Sequence, residues 1–344
     1  MTVRFATLSE IDHWNEYIVA NPDGGNMFAS YEFAMQKETG GYKAHFIFID
    51  KLAVTVLEKN ANILGKFWYL PKGPEVTSAQ ELFKTLKELR QFAKKQHVFA
   101  IRIETELDKS SITSLKQFGL EKARPIIPNP STITLDISQE LDTILTKLPQ
   151  KGRYAIKRAE RDGVSVNLVS SSNENCQIMY KLLQETAKGQ FGIRSYEYFR
   201  TFWQRFEQSG SGQLFFAYYD GQVVAGAYAV TLGQKSTYKD GASIRKRTAY
   251  GASHLLQWEV IKWAKTKGST LHDFCGSPPS DEINNPEHPH YGVGLFKTAF
   301  SKDISDFIGC YDYIIDPKKY RAWIKFGEKV AHRLHYYKNH DSYY

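Results

Sequence analysis

Tyr250-Gly-Ala-Ser-His-Leu-Leu-Gln-Trp-Glu-Val-Ile-Lys-Trp-Ala-Lys-Thr-Lys-Gly268, followed two residues later by Leu271-His-Asp-Phe-Cys-Gly276, decides the fold. Leu255, Leu256, Val260, Ile261, Trp263 and Ala264 recur at helical spacing, a glycine stops the helix, and a short strand ending in glycine follows. This is a helix packed on a sheet. Upstream, Gln213–Tyr219 and Val223–Thr231 flank the hairpin turn Asp220-Gly221-Gln222, and Ser236–Lys239 continues the sheet; the helix is read as Ser253–Lys267 and the strand after it as Thr270–Cys275.

The first half repeats this order. Ala44–Asp50 and Ala53–Glu58 read as paired strands, Lys66–Leu70 as a third, Gln80–Gln96 as a helix and Val98–Glu104 as the strand after it. Two similar α/β lobes are therefore expected, each a sheet of mostly antiparallel strands with flanking helices. Between them Arg124-Pro-Ile-Ile-Pro-Asn-Pro130 forbids a helix and marks a connection. Ser131–Asp136 then reads as a strand, Gln139–Leu148 and Pro149–Gly163 as helices, and Val164–Val169 as a strand. At the C-terminus Asp312–Asp316 reads as a strand and Pro317–Tyr343 as a helix, with proline suited to its first turn.

With 344 residues, 42% hydrophobic, the chain can bury one large core or two of ordinary domain size. No apolar run approaches the roughly 20 residues that span a bilayer, and residues 1–10 lack the basic-then-apolar pattern of a signal peptide, so a cytoplasmic protein without an integral membrane segment is expected. Cys176, Cys275 and Cys310 are odd in number and show no CxxC spacing, so neither a disulfide framework nor a metal site is indicated. The net charge of +8 favours a polyanionic partner such as nucleic acid, a nucleotide or a membrane surface. Two clusters concentrate the excess: Lys147, Lys151, Arg153, Lys157, Arg158 and Arg161, and Lys318, Lys319, Arg321, Lys325, Lys329 and Arg333. The common hydrolase, phosphate-loop and zinc-protease signatures are missing. Lys246-Arg-Thr-Ala-Tyr-Gly-Ala252 stands where an acetyltransferase would place its acetyl-CoA loop, and matches that pattern only in degraded form.

Four segments in order carry a resemblance: Phe28-Ala-Ser-Tyr-Glu-Phe-Ala-Met-Gln-Lys37, Lys157-Arg-Ala-Glu-Arg-Asp-Gly-Val-Ser-Val166, Tyr250–Gly276, and Gly294-Leu-Phe-Lys-Thr-Ala-Phe-Ser-Lys-Asp-Ile-Ser-Asp-Phe-Ile-Gly309. Together they resemble the Fem family of aminoacyl-tRNA-dependent peptidoglycan bridge peptidyltransferases. The resemblance implies an α/β (α+β) fold of two acetyltransferase-like lobes, each a mostly antiparallel mixed sheet flanked by helices. It places lobe 1 at residues 1–142, with 317–344 packing back on it, and lobe 2 at 143–316. Long-bridge members carry a coiled-coil arm, but Lys188 to Gln213 offers one helix-length segment and two glycine breaks, so the chain resembles the compact, armless type. The activity implied moves alanine, serine or glycine from aminoacyl-tRNA to the side-chain amine of the stem peptide, on UDP-MurNAc-pentapeptide or lipid II. No cofactor is implied, and a monomer able to associate with the membrane surface is expected.

The resemblance also assigns residues. Lys37 and Arg194, with Tyr198 four residues on, stand where the compact type binds a nucleotide diphosphate; a guanidinium fork and an ammonium point charge suit a pyrophosphate. Phe296-Lys297 matches the family's Phe-Lys pair. The Lys297 ammonium would stabilise the oxyanion formed on the ester carbon and the charge on the leaving 3′ oxygen, and Phe296 would stack on or wall in the terminal adenosine. Glu104 and Asp108 follow a strand of the first lobe, where a carboxylate could steer the incoming ammonium. Tyr238 and Tyr250 suit uracil, sugar or the tRNA acceptor end. Arg153, Lys157 and Arg161 share one face of a helix and form a candidate tRNA-binding row, with Arg158 turned partly away. Two other readings stay open: an acyl-CoA-dependent N-acyltransferase of the same lobe type, and a tRNA- or nucleotide-binding protein without turnover.

Overall fold

The computed structural model describes residues 2–127, 130–188, 192–244, 249–339 and 343–344. The chain divides into two compact units, Met1–Pro130 with Asp306–Tyr344, and Ser131–Ser305.

In the first unit β1 (Val3–Phe5), β2 (Lys43–Ile49), β3 (Leu52–Asn60) and β4 (Lys66–Leu70) pair antiparallel in sequence. β5 (Val98–Ile103) then joins β4 in parallel, a pairing that needs a crossover connection. The helix Ala79–Lys95 supplies it. Ser78 caps its start by accepting from the amide of Glu81 at 3.2 Å, and Leu82, Leu86, Leu89 and Ala93 line one face and are fully buried. The short β6 (Glu121–Lys122) closes the run.

The second unit repeats the plan. β7 (Ser131–Asp136) opens it; β8 (Ser165–Val169), β9 (Gly212–Tyr219), β10 (Gln222–Leu232) and β11 (Lys235–Ser243) pair antiparallel, and the helix Ala252–Thr266 crosses to β12 (Leu271–Asp273), which joins β11 in parallel. β7 pairs antiparallel with β12, and β13 (Asp303–Asp306) lies outside it. β14 (Tyr311–Ile314) returns to the first sheet between β5 and β6.

The two seven-stranded sheets, β1-β2-β3-β4-β5-β14-β6 and β8-β9-β10-β11-β12-β7-β13, thus have the same order of antiparallel and parallel neighbours through their first six strands. This is the mixed, mostly antiparallel α/β architecture expected from the sequence. The division falls at 130/131 and 305/306, whereas the sequence places it at 142/143 and 316/317. The physical difference is that Ser131–Asp136 pairs with Leu271–Asp273, and that Tyr311–Ile314 pairs with Val98–Ile103.

The expected C-terminal helix is interrupted. It runs Pro317–Ala322, widens into a π turn over Trp323–Gly327 and resumes as Glu328–Asn339. A Cβ at Gly327 would meet the Trp323 ring at 3.0 Å and Leu64 at 3.1 Å, so the wide turn fits because the position has none. Residues 340–342 of that expected helix lie outside the described residues. Among the described residues of Lys188–Gln213 one helix forms, Tyr196–Gln208, and neither it nor the helix Asn173–Ala187 before it is extended into a coiled-coil arm.

Candidate active site

The site follows from where a parallel pair stops. β11 and β12 are hydrogen-bonded only over Lys235–Thr237 against Leu271–Asp273. β11 runs on to Ser243, but the chain after Asp273 turns away: Cys275 and Gly276 both take positive φ, +56° and +82°. Asp273 fixes the turn by accepting from the Cys275 amide at 2.7 Å and from the Thr132 hydroxyl. The strands therefore part, and a cavity of about 400 Å³ opens between them, lined by Tyr238, Lys239, Ser253, Cys275, Phe296 and Lys297 among others.

Lys297 ends the short helix Tyr291–Lys297 and is buried, with 5% of its surface exposed. Its ammonium donates to the carbonyl oxygens of Cys275, at 2.6 Å, and Gly276, at 2.5 Å; the positive-φ turn presents both. Two of three N–H donors are used in this way, which leaves one for a bound group. Burial pushes its pKa down to about 8, against the opposing pull of Cys275 and Asp273. At pH 7 the group still carries its proton in most molecules.

Phe296, the neighbouring residue, packs edge-on against His254 at 5.1 Å and against Phe300 at 5.6 Å, and faces Tyr238 at 6.4 Å. It lines a second cavity as well, of about 430 Å³, together with Ile244, Tyr250, Gly251, Ser253 and His254. The two cavities share Phe296, Ser243 and Ser253. The His254 ring stacks on Phe300 at 5.7 Å, and burial, then the Lys151 charge, push its pKa down to about 4, so it is neutral at pH 7.

Beside the second cavity Tyr250, about half exposed, takes the Arg158 guanidinium over its ring at 5.0 Å and the Tyr154 ring at 6.0 Å. The basic helix Gln150–Arg161 is thus oriented differently from the sequence expectation. Arg153 donates to the carbonyls of Thr146, at 2.9 Å, and Leu148, so it caps the end of the preceding helix Leu141–Lys147. Arg158, expected to turn partly away, lies over the ring of Tyr250, which lines the second cavity, and pairs with Asp162 at 3.2 Å, while Lys157 and Arg161 are exposed.

Other expected residues are brought to different surroundings. Glu104 is buried and accepts from the Tyr69 hydroxyl, from the Ile126 amide at 2.5 Å and from the Ile127 amide at 3.2 Å, so its lone pairs are committed to holding the loop after β6. Asp108 caps the turn Lys109–Ser111, accepting from the Ser110 amide at 2.8 Å and hydroxyl at 2.5 Å; these bonds hold its pKa below the usual carboxylate range. Neither carboxylate lines the cavity beside Lys297. Lys37 is buried on the helix Tyr31–Thr39, its ammonium 5.3 Å from the Tyr42 ring and 5.7 Å from Phe33. Arg194 lies in the second unit and stacks its guanidinium over Tyr198 at 5.1 Å.

Sequence reasoning passed over Lys239, which lines the cavity with Lys297 and pairs with Asp240 at 3.0 Å. Trp203 donates to the same aspartate at 2.9 Å. A lysine and an aspartate adjacent within a strand otherwise made largely of small residues was the available signal. The degraded acetyl-CoA loop cannot be compared in full, because residues 245–248 lie outside the described residues.

A family model described as an acetyltransferase (GNAT) domain matches residues 147–283. The lipid II:glycine glycyltransferase of Staphylococcus aureus (strain MRSA252) is 20% identical, covering 89% of this chain and 91% of its own. The UDP-N-acetylmuramoylpentapeptide-lysine N(6)-alanyltransferase of Weissella viridescens is 23% identical, covering 92% and 96%. Among solved structures, one described as the crystal structure of FemX superimposes with a TM-score of 0.79 at 18% identity, over 95% of this chain and 100% of that one.

Proposed function

We propose that this chain, a homologue of the Fem family with its doubled acetyltransferase-like fold, is an aminoacyltransferase that builds the peptidoglycan interpeptide bridge from aminoacyl-tRNA. The donor carries alanine, serine or glycine, and the acceptor is the stem-peptide side-chain amine of UDP-MurNAc-pentapeptide or lipid II.

The observation that carries the reading is Lys297: a buried ammonium, held by two carbonyls, with one donor to spare, at a cavity walled by Phe296 and Tyr238. In the reaction the acceptor nitrogen attacks the ester carbon. The C–O bond to the ribose 3′ oxygen breaks, an amide forms, and the proton lost by the amine ends on the 3′ hydroxyl. Negative charge appears first on the carbonyl oxygen and then on the leaving oxygen. A fixed, buried cation stabilises that charge more than it stabilises the uncharged ester. Tyr250, Tyr154 and Arg158 supply aromatic faces and a cation suited to the unpaired acceptor end of a tRNA, with Lys157 and Arg161 for its phosphates. Lys37, Arg194 and Tyr198 are proposed as acceptor-binding residues on the family resemblance, each to be tested by its own substitution.

The test offers radiolabelled alanyl-, seryl- and glycyl-tRNA with UDP-MurNAc-pentapeptide, beside labelled acetyl-CoA, and looks for a ribosome-independent product. Label transfer from a tRNA, lost in Lys297→Ala, supports the reading. Transfer from acetyl-CoA alone would make the chain an ordinary acyl-CoA transferase, the reading favoured by the domain match over 147–283.

A further inference from the structure

The segment Pro317–Asn339 contains seven lysines and arginines and a single acidic residue, Glu328. Glu328 is turned inward, accepting from Arg102 at 3.2 Å and from the Tyr344 hydroxyl at 2.6 Å. The rest of the inner face is also occupied: Trp323 stacks on Phe67 at 5.8 Å, and the His332 ring lies 5.1 Å from the buried Tyr343. The chain's own C-terminal residues thus cover one side of the helix.

The opposite side is bare and apolar along its centre. Phe326, Val330, Leu334 and Tyr337 follow one another at spacings of four, four and three, which forms a single stripe, and they are 55%, 51%, 59% and 79% exposed. Lys325, Lys329 and Arg333 run beside the stripe at spacings of four, and Lys338 flanks its other edge. Four consecutive apolar positions exposed on one helix face are unusual for a surface that meets only water. Cations on both edges of an apolar stripe let the aliphatic stems lie along apolar surface while the charges reach a polar, anionic layer above it.

We infer that the outer face of this C-terminal helix is a docking surface for an anionic phospholipid bilayer, the stripe entering the headgroup–acyl boundary and the flanking cations meeting acidic headgroups. Charge complementarity selects the partner's sign, and the stripe selects a bilayer over RNA, because a polyphosphate backbone gains nothing from exposed valine and leucine. The proposal needs neither tRNA nor acceptor and stands apart from the transferase reading. It does bring the protein to the place where a lipid-linked acceptor would be found.

Sedimentation with phosphatidylcholine vesicles, with and without one third phosphatidylglycerol, tests it on the full chain. Wild type is expected to partition onto the phosphatidylglycerol vesicles in a salt-sensitive manner. The pairs Lys329→Glu with Arg333→Glu, and Val330→Ser with Leu334→Ser, should each weaken partition by at least about tenfold, since a surface cation is worth roughly fivefold and a buried methylene nearly as much. Unfolding temperature and turnover with the soluble UDP-linked acceptor should not change in either variant. The inference is overturned by wild type that ignores phosphatidylglycerol or binds phosphatidylcholine alone equally well. It is also overturned if the serine pair leaves vesicle binding intact while the glutamate pair lowers tRNA affinity, which would make the face an RNA surface. A serine pair that converts a dimer to a monomer, with no vesicle binding in wild type, would make it a self-association surface.

Discussion

A buried lysine is costly, and Lys297 is held at that cost by two backbone carbonyls that a positive-φ turn at Cys275 and Gly276 presents to it. Lys297→Ala is expected to lower turnover by about 10²–10³ with little change in acceptor affinity, the usual loss for one donor to an oxyanion. Retained turnover at saturating substrates would remove Lys297 from the chemistry. Because burial lowers its pKa from 10.5 to about 8, the charged form is lost as pH rises through 8. Turnover should therefore fall above about pH 8, and the residual turnover of Lys297→Arg should lack that fall; a wild-type rate that keeps rising to pH 10 would point to a general base instead. The adjacent Phe296 and Lys297, which the sequence singles out by their match to the family's pair, line one cavity. The surroundings of Glu104 were not legible, because the amides it serves come from Ile126 and Ile127, beyond another strand and turn. Glu104→Ala leaves the buried Tyr69 hydroxyl without its acceptor and the half-buried Ile126 and Ile127 amides to water, and should cost about 1–3 kcal/mol of unfolding free energy, the range for one buried group left unpaired. Turnover of the molecules that remain folded should be near normal, as measured by denaturant titration beside an active-fraction assay.

The helix Gln150–Arg161 shows how one element divides its residues between packing and surface. A Cβ on Gly152 would stand 1.9 Å from the carbonyl oxygen of Ala299, so only glycine allows this close approach, although alanine is the better helix former by about 1 kcal/mol. Arg153, one residue on, is held by the carbonyls of Thr146 and Leu148. Lys157, Arg158 and Arg161 remain as the outward basic row. Helical spacing alone grouped Arg153 with Lys157 and Arg161, because period says which residues share a face but not which neighbour a long side chain will reach. The structure therefore changes the expected ranking. Replacing Lys157, Arg158 and Arg161 together by alanine should flatten the log–log salt dependence of aminoacyl-tRNA binding by about 0.7–0.9 for each phosphate that is no longer neutralised. Arg153→Ala should leave that slope unchanged and lower the unfolding temperature. Equal slopes in wild type and the triple variant would exclude this helix face from the tRNA interface.

At the scale of the whole chain, the doubled order of strands was legible because each repeat is local: hairpin, strand, helix, strand. The sixth place in each sheet was not. It is filled by β7 and by β14, whose partners β12 and β5 lie far away in sequence, and no periodicity records a pairing over that distance. The two units are consequently unequal. Residues 131–306 hold every strand of their own sheet, from β7 to β13. Residues 1–130 lack β14, and with it Asp312, which bonds the buried Arg102 at 2.8 and 2.9 Å, and Trp323, which packs between Phe67 and Phe99. Removing one partner of a buried ion pair typically costs 3–5 kcal/mol, roughly the smaller end of a whole domain's stability, before the missing strand is counted. A fragment of residues 131–306 is therefore expected to unfold cooperatively and to show dispersed amide resonances, whereas residues 1–130 should be unfolded until a peptide of residues 306–344 is added. A stably folded 1–130 fragment, with no gain from that peptide, would show that β14 is an accessory strand and that the first sheet is complete without it.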